Sequence, residues 1–251
     1  MLSYAIRSHR GRIRETNEDS FFIPSQEGPL IFAVADGMGG HAGGEVASSL
    51  AVRVLGKRVE EISEDFHQLG QAQAEAFLRT TIQQANTEIV QAQEQQSELK
   101  GMGTTLTAAY IRGRDLLVAH VGDSQAHIFR NGRIIQLTED HSLVMELLKN
   151  GEIDAEEVHN HPQRHMITRF LGIADHPVVV DFYTSTIESG DYLLLCTDGL
   201  TTMLRPSEIG DVLFEREESD LEIIADALLS QANERGGSDN ITFALIHFIL
   251  E

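Results

Sequence analysis

The sequence predicts an α+β fold, an α-β-β-α sandwich of two mainly antiparallel sheets flanked by helices. Three observations carry that expectation. Short β-branched runs come in hairpin pairs, amphipathic stripes at helical spacing interrupt them, and each stripe has one apolar face only. A helix with one apolar face covers one face of a sheet, and two sheets packed together with helices outside both satisfy the pattern.

Leu30 to Ala35 reads as the first strand. Val46, Leu50 and Val54 recur at four-residue spacing, and Leu78, Ile82, Ala85 and Ile89 at four, three and four, as on helices. The Gln-rich stretch 91–96 reads as the exposed end of the second helix. Thr105 to Ile111 and Leu116 to Val121 form a hairpin around Arg112-Gly113-Arg114-Asp115. Ala126 to Arg130 and Arg133 to Leu137 flank Asn131-Gly132, the preferred pair for a type I′ turn. Residues 141–172 are polar and partly helical, and are expected to lie outside the core as a subdomain. Val178 to Ser185, Tyr192 to Cys196 and Ile241 to Phe248 complete the strands, with a third helical stripe at Leu221, Ile224, Ala225 and Leu228. There is no solenoid repeat and no low-complexity linker, so residues 1–251 are expected to be a single domain.

A net charge of −20 opposes binding to nucleic acid or to an anionic membrane. Cys196 is the only cysteine, so no internal disulfide can form. It ends an apolar strand with no cation beside it, which points to a core residue rather than a nucleophile. No apolar run is long enough to span a bilayer and no signal region is evident at the N-terminus; a cytoplasmic protein is expected.

Four aspartates stand where strands end, each beside glycine, serine or asparagine: Asp36, Asp123, Asp198 and Asp239. Any one of them alone reads as a turn residue. Gathered together they would repel one another, and a divalent cation with oxygen ligands resolves that conflict. Gly37-x-Gly39-x-x-Ala42 matches a loose dinucleotide fingerprint, but Asp36 directly before it would face a pyrophosphate uncompensated, and the strands that follow pair as hairpins. No lysine follows the glycines, which excludes a P-loop. Instead the glycines let the backbone approach a metal at Asp36, with the Gly37 carbonyl free to join it. Arg14 beside Glu18 and Asp19 combines a phosphate-gripping guanidinium with further acids. His159, His161 and His165 fit no standard zinc spacing and read as a polar loop.

The ordered set Arg14-x-x-Asn17-Glu18-Asp19, Asp36-Gly37-Met38-Gly39-Gly40-His41, Gly103-Thr104-Thr105, Gly122-Asp123-Ser124, Leu137-Thr138-x-Asp140-His141-Ser142, Thr197-Asp198-Gly199 and Ser238-Asp239-Asn240-Ile241-Thr242 resembles the PP2C-type, metal-dependent Ser/Thr protein phosphatases in their bacterial form. The resemblance runs from Arg14 to Thr242, and seven motifs in order are highly specific. It implies two catalytic Mg or Mn ions in a cleft at one edge of the sandwich, and a hydroxide bridging them that attacks the phosphomonoester directly. Asp36 would bridge both ions, with Gly37 and Glu18 completing one and Asp198 and Asp239 holding the other. Asp19 would support metal-bound water, and Asp123 with Asp198 would hold a weaker third ion. Arg14 would hold the phosphate, and residues 141–172, as a flap with His161 and Arg169, would flank the substrate.

Two positions depart from the pattern. Met38 stands where animal members have histidine, leaving His41 or a metal-bound water as the general acid. Gln125 stands where many relatives carry arginine, a change expected to affect packing more than chemistry. The implied partners are proteins phosphorylated on Ser or Thr, a cognate kinase among them, acted on by a monomer. The rival reading from another class is an inactive family member that only binds phosphoproteins; the intact acid set argues against it.

Overall fold

The computed structural model describes residues 2–25, 28–39, 43–62, 69–158, 161–215 and 220–249. Two five-stranded antiparallel sheets stack face to face. One runs β1 (Leu2–His9), β12 (Ile241–Phe248), β11 (Tyr192–Cys196), β8 (Gln125–Arg130), β9 (Arg133–Gln136). The other runs β10 (Asp181–Thr186), β7 (Asp115–Val121), β6 (Leu106–Arg112), β3 (Leu30–Ala35), β2 (Ser20–Phe22). A two-residue pair, β4 (Gly37–Met38) with β5 (Gly103–Thr104), lies beside them.

The strand alternation assigns each face. In β3, Ile31, Ala33 and Ala35 turn toward helices α1 (Gly43–Glu61) and α2 (Gln71–Gln95), while Phe32 and Val34 turn toward the other sheet. In β12, Ile241, Phe243 and Leu245 join the core under the opposite helical layer, and Ala244, Ile246 and Phe248 meet Phe32 and Val34 between the sheets. Strands buried on both faces read as continuous apolar runs. That opposite layer comprises α5 (Asp198–Thr201), α6 (Pro206–Glu215) and α7 (Leu221–Glu234).

The expected helical stripes of α2 and α7 are the buried ones: Leu78, Ile82, Ala85 and Ile89 are inaccessible, as are Ile224, Ala225 and Leu228. The first helix is rotated from expectation. Its buried face is Ala47, Ala51, Val54 and Leu55, and Val46 and Leu50 are only partly covered. Small alanines let the helix approach the sheet closely, which a search for large apolar residues overlooks. Asn131 (φ 48) and Gly132 (φ 73) both adopt the left-handed region that a type I′ turn requires.

Two differences concern the second half. The ladder expected from Val178 begins only at Asp181. Upstream, Gln83 donates its Nε2 to the Val178 carbonyl and accepts the Val178 amide on its Oε1, so a side chain replaces the strand partner there. The segment 141–172 carries α3 (Leu143–Lys149) and α4 (Ala155–Val158), and its residues 149–157 and 162–166 are mostly exposed. Its ends, however, belong to the core: His141, Ser142, Val144 and Leu171 are buried. Bridges Thr104 to Leu171 and Ser142 to Ile167 close its base. Among the described residues no helix is long and apolar enough to cross a membrane.

Candidate active site

The ladders bring distant residues to one edge. Ser20 pairs with Ala35, Val34 with Thr107, Leu106 with Val121, and Cys196 with both Phe243 and Gln125. The C-terminal ends of β3, β7 and β11 therefore share an edge with the N-terminal ends of β2 and β12. Each of those ends carries an acid: Asp36, Asp123, Asp198, Asp19 with Glu18, and Asp239.

Short polar bonds fix the backbone here. The Asp36 amide donates to Thr105 Oγ1 at 2.8 Å, and the Asp36 carbonyl accepts from the Thr105 amide and Thr104 Oγ1. Thr105 Oγ1 also bonds Ser124 Oγ at 2.7 Å, which ties the Asp36 and Asp123 loops together. Thr197 Oγ1 donates to Asp19 Oδ2 at 2.9 Å. Asn240 joins the remaining loops: its Oδ1 accepts from the Glu18 amide, and its Nδ2 donates to the carbonyls of Arg10 and Thr16. The close approach needs glycine at two points. A Cβ on Gly37 would lie 2.1 Å from the Gly44 carbonyl, and one on Gly44 would lie 2.3 Å from Glu18 Oε2 and 2.8 Å from the Gly37 carbonyl. The Glu18 carboxylate and the Gly37 carbonyl thus meet over the first turn of α1, where the helix dipole favours negative charge.

The carboxylates press on one another. Burial, then the charges of Asp19, Asp198, Asp123 and Asp239, push the Asp36 carboxyl well above its usual range. Burial, then Asp198 and Asp140, do the same to Asp123. Asp198 is raised by burial and by the charge of Asp239. Asp19 is raised to about 7, chiefly by burial, and Asp140 to about 6 for the same reason. Glu18 rises too, through burial, against the pull of Arg14.

The donor set fits hard divalent cations, which take carboxylate and carbonyl oxygen. Asp19 and Asp123 are only 8% and 7% exposed, and each has one buried oxygen, Oδ1, with no hydrogen-bond partner. A buried unpaired carboxylate oxygen costs free energy that a cation recovers. Among the described residues no three acidic, imidazole or thiol side chains are already drawn into a closed cage.

Arg14, half exposed at 51%, reaches across the edge, and its Nη2 bonds Asp239 Oδ2 at 2.8 Å. His161 and Arg169 each have a partner in or beside their own segment. The His161 ring accepts from the Gln163 amide within its own loop. The Arg169 guanidinium sits 3.2 Å from Asp181 Oδ2, and that carboxylate also bonds His141 Nε2 at 3.0 Å. His141 Nδ1 in turn accepts from the Gly122 amide, next to Asp123. His41 lies outside the described residues. Cys196 is fully buried, and burial first of all raises its thiol pKa far above the ordinary value, so no thiolate is available. Gln125 bonds both Asp140 and His127, a local packing role.

The residues that sequence reasoning passed over are Asn240, Thr197, Asp140 and His141. All four lie inside the quoted motifs, and only their contacts separate them from ordinary turn residues.

The sequence model for "Protein phosphatase 2C" matches residues 7–241. The chain belongs to the protein phosphatase 2C family. It is a protein-serine/threonine phosphatase of bacterial type. It is 43% identical to a serine/threonine phosphatase of Listeria monocytogenes, over 96% of this chain and 93% of the relative. A serine/threonine phosphatase of S. agalactiae superposes with a TM-score of 0.90 at 36% identity, covering 99% of this chain and 100% of that one. The catalytic domain of the phosphatase PstP, solved with two manganese ions, superposes at 0.84 with 33% identity over 99% of both chains. Phosphorylated proteins are accordingly the substrates of this phosphatase.

Proposed function

We propose that this phosphatase hydrolyses phosphoserine and phosphothreonine directly, without a phosphoenzyme, at the acidic edge, with two Mg or Mn ions held there. The observation that carries the reading is the convergence of Asp19, Asp36, Asp123, Asp198 and Asp239 in one electrostatic field, with two buried carboxylate oxygens unpartnered. Asp36, Glu18, the Gly37 carbonyl, Asp198 and Asp239 would hold the two ions, and Asp123 with Asp198 would hold a weaker third. When bound, such ions supply Lewis acidity and bring water toward hydroxide at neutral pH.

The chain's own groups do the rest. Arg14 exchanges its Asp239 partner for the equatorial phosphate oxygens, where charge accumulates as the ester breaks. Asp19, fixed by Thr197, offers its Oδ1 to orient water toward phosphorus. His41 donates the proton that the leaving Ser or Thr oxygen needs. The flap at 141–172, with His161 and Arg169, borders the substrate, and residues 1–251 act as one catalytic domain. We further place the protein in the cytoplasm as a monomer, with a Ser/Thr kinase among its substrates.

The test is turnover of p-nitrophenyl phosphate with Mn, with and without chelator, beside calorimetric titration of Mn into the native chain and the Asp239→Asn variant. Metal-dependent turnover and Mn binding, both lost in the variant, are expected. Turnover that survives chelation, or equal Mn binding by the variant, overturns the assignment.

A further inference from the structure

A cavity of ≈ 700 Å³ opens beside the acidic edge, between the flap and the segment from α5 to the start of α6. That is room for several side chains rather than one phosphate group. At one end are Asp123 and Asp198, at the acidic edge itself. Its lining is mixed, with Met145 and Leu148 on α3 beside Gln125, Gln136 and Asp140. The remaining rim carries Arg164 from the flap and Arg205 from the opposite wall.

Two exposed arginines facing one groove run against the trend of a chain with a net charge of −20. Three nearby arginines are engaged: Arg14 by Asp239, Arg169 by Asp181, and Arg235 by Glu208. Arg164 and Arg205 form no ion pair with any described residue. The carboxylate best placed to quench Arg205 is Glu208, and it is engaged by Arg235 and by the Arg205 amide. Two guanidinium forks at the rim of a groove whose other end is the reaction centre suit a second anion on the substrate, at a fixed remove from the first.

We infer that this groove holds the substrate chain beside the phosphoresidue being cleaved, and that Arg164 and Arg205 bind a second phosphoryl group on a neighbouring side chain. The inference rests on the reading of the acidic edge as the reaction centre. Met145 and Leu148 pack against the intervening residue, and the two arginines set a preference for doubly phosphorylated segments. The overall negative charge of the protein repels anionic chains that lack a group reaching this rim.

The experiment uses the full chain with Mn and three phosphothreonine peptides of one sequence. They differ at one flanking position, about two to four residues away, a reach of ~7–13 Å in extended chain. That position carries alanine, glutamate or a non-hydrolysable phosphonate analogue of phosphoserine. The expected result is a kcat/KM about tenfold higher for the phosphonate than for alanine, expressed mainly in KM, with glutamate between. The advantage disappears in R164A/R205A and partly returns in R164K/R205K, with circular dichroism and thermal midpoints reporting that the variants are folded. Equal kcat/KM for the three peptides, an advantage that survives in R164A/R205A, or glutamate matching the phosphonate overturns the subsite. A wild-type chain that hydrolyses none of the peptides overturns instead the assignment of the reaction centre.

Discussion

The acidic edge and the flap adjoin each other and are held in opposite ways. The edge is built on the ends of strands buried on both faces, and Asn240, Thr197, Thr105 and Ser124 lock its loops together. The segment 141–172 is tied by two β-bridges, by the chain Gly122–His141–Asp181–Arg169 and by the pair Lys149–Glu139, while its residues 149–157 and 162–166 are mostly exposed. Five carboxylates are kept near one another only by a scaffold stiff enough to resist their repulsion. A segment that borders varied protein substrates needs no such stiffness. Rigidity here follows the electrostatic load, and the load is concentrated on the strands.

The sharpest way to break that contrast is Asp36→Asn. Turnover should fall by about 10³-fold, since the loss of a shared metal carboxylate removes several kcal/mol of transition-state stabilisation. In chelator the same variant should melt higher than wild type by ~2–4 °C, because one of the mutually repelling acids is gone. A lower midpoint in chelator would show that the scaffold does not carry this strain. The pH dependence follows with the same sign. The folded pKa of Asp19 is raised to about 7 from the ordinary carboxylate value, so the folded state binds that proton more tightly. Stability of the chelated protein should therefore be greatest at acid pH and decline as pH rises from about 4 to 7, and Mn should flatten the decline. Melting curves across that range with and without metal measure it.

Arg14→Ala comes next, with a KM for phosphopeptides about tenfold higher and a smaller change in kcat, since an exposed guanidinium contributes to phosphate binding more than to the scaffold. An unchanged KM removes Arg14 from the phosphate. His141→Ala tests the flap side. It leaves the Gly122 amide buried and unpaired, at a cost of ~1–3 kcal/mol, and should reduce turnover of phosphoproteins several-fold more than that of p-nitrophenyl phosphate. Equal losses on both substrates would mean that His141 serves the edge and not the flap. The smallest effect belongs to Cys196→Ala, which should keep kcat within about twofold while costing ~1 kcal/mol of stability in the core.

Much of the edge was legible because turn chemistry is local. Asp36-Gly37, Gly122-Asp123 and Thr197-Asp198-Gly199 announce strand ends wherever they occur, and seven motifs in fixed order carried the family resemblance. The strands β1 and β2 were not legible, since their burial is mixed and β2 has three residues. The rotation of α1 escaped because alanine carries almost no hydrophobic signal, although it defines the closest packing. Arg169 reads as a substrate residue from its motif, yet its guanidinium pairs with Asp181, a partner that no spacing in the chain announces.

What the sequence determined by itself was the strand and helix grammar, the acids at strand ends and the chemistry those acids can support. All of these are properties of residues and their immediate neighbours. Only the tertiary structure decided which carboxylates feel one another, which oxygens lie buried without a partner, that Asn240 ties its own loop to the β1–β2 connection, and that Arg164 and Arg205 line one groove. Those facts depend on antiparallel registers that join residues some two hundred positions apart, and on burial. A linear pattern contains neither.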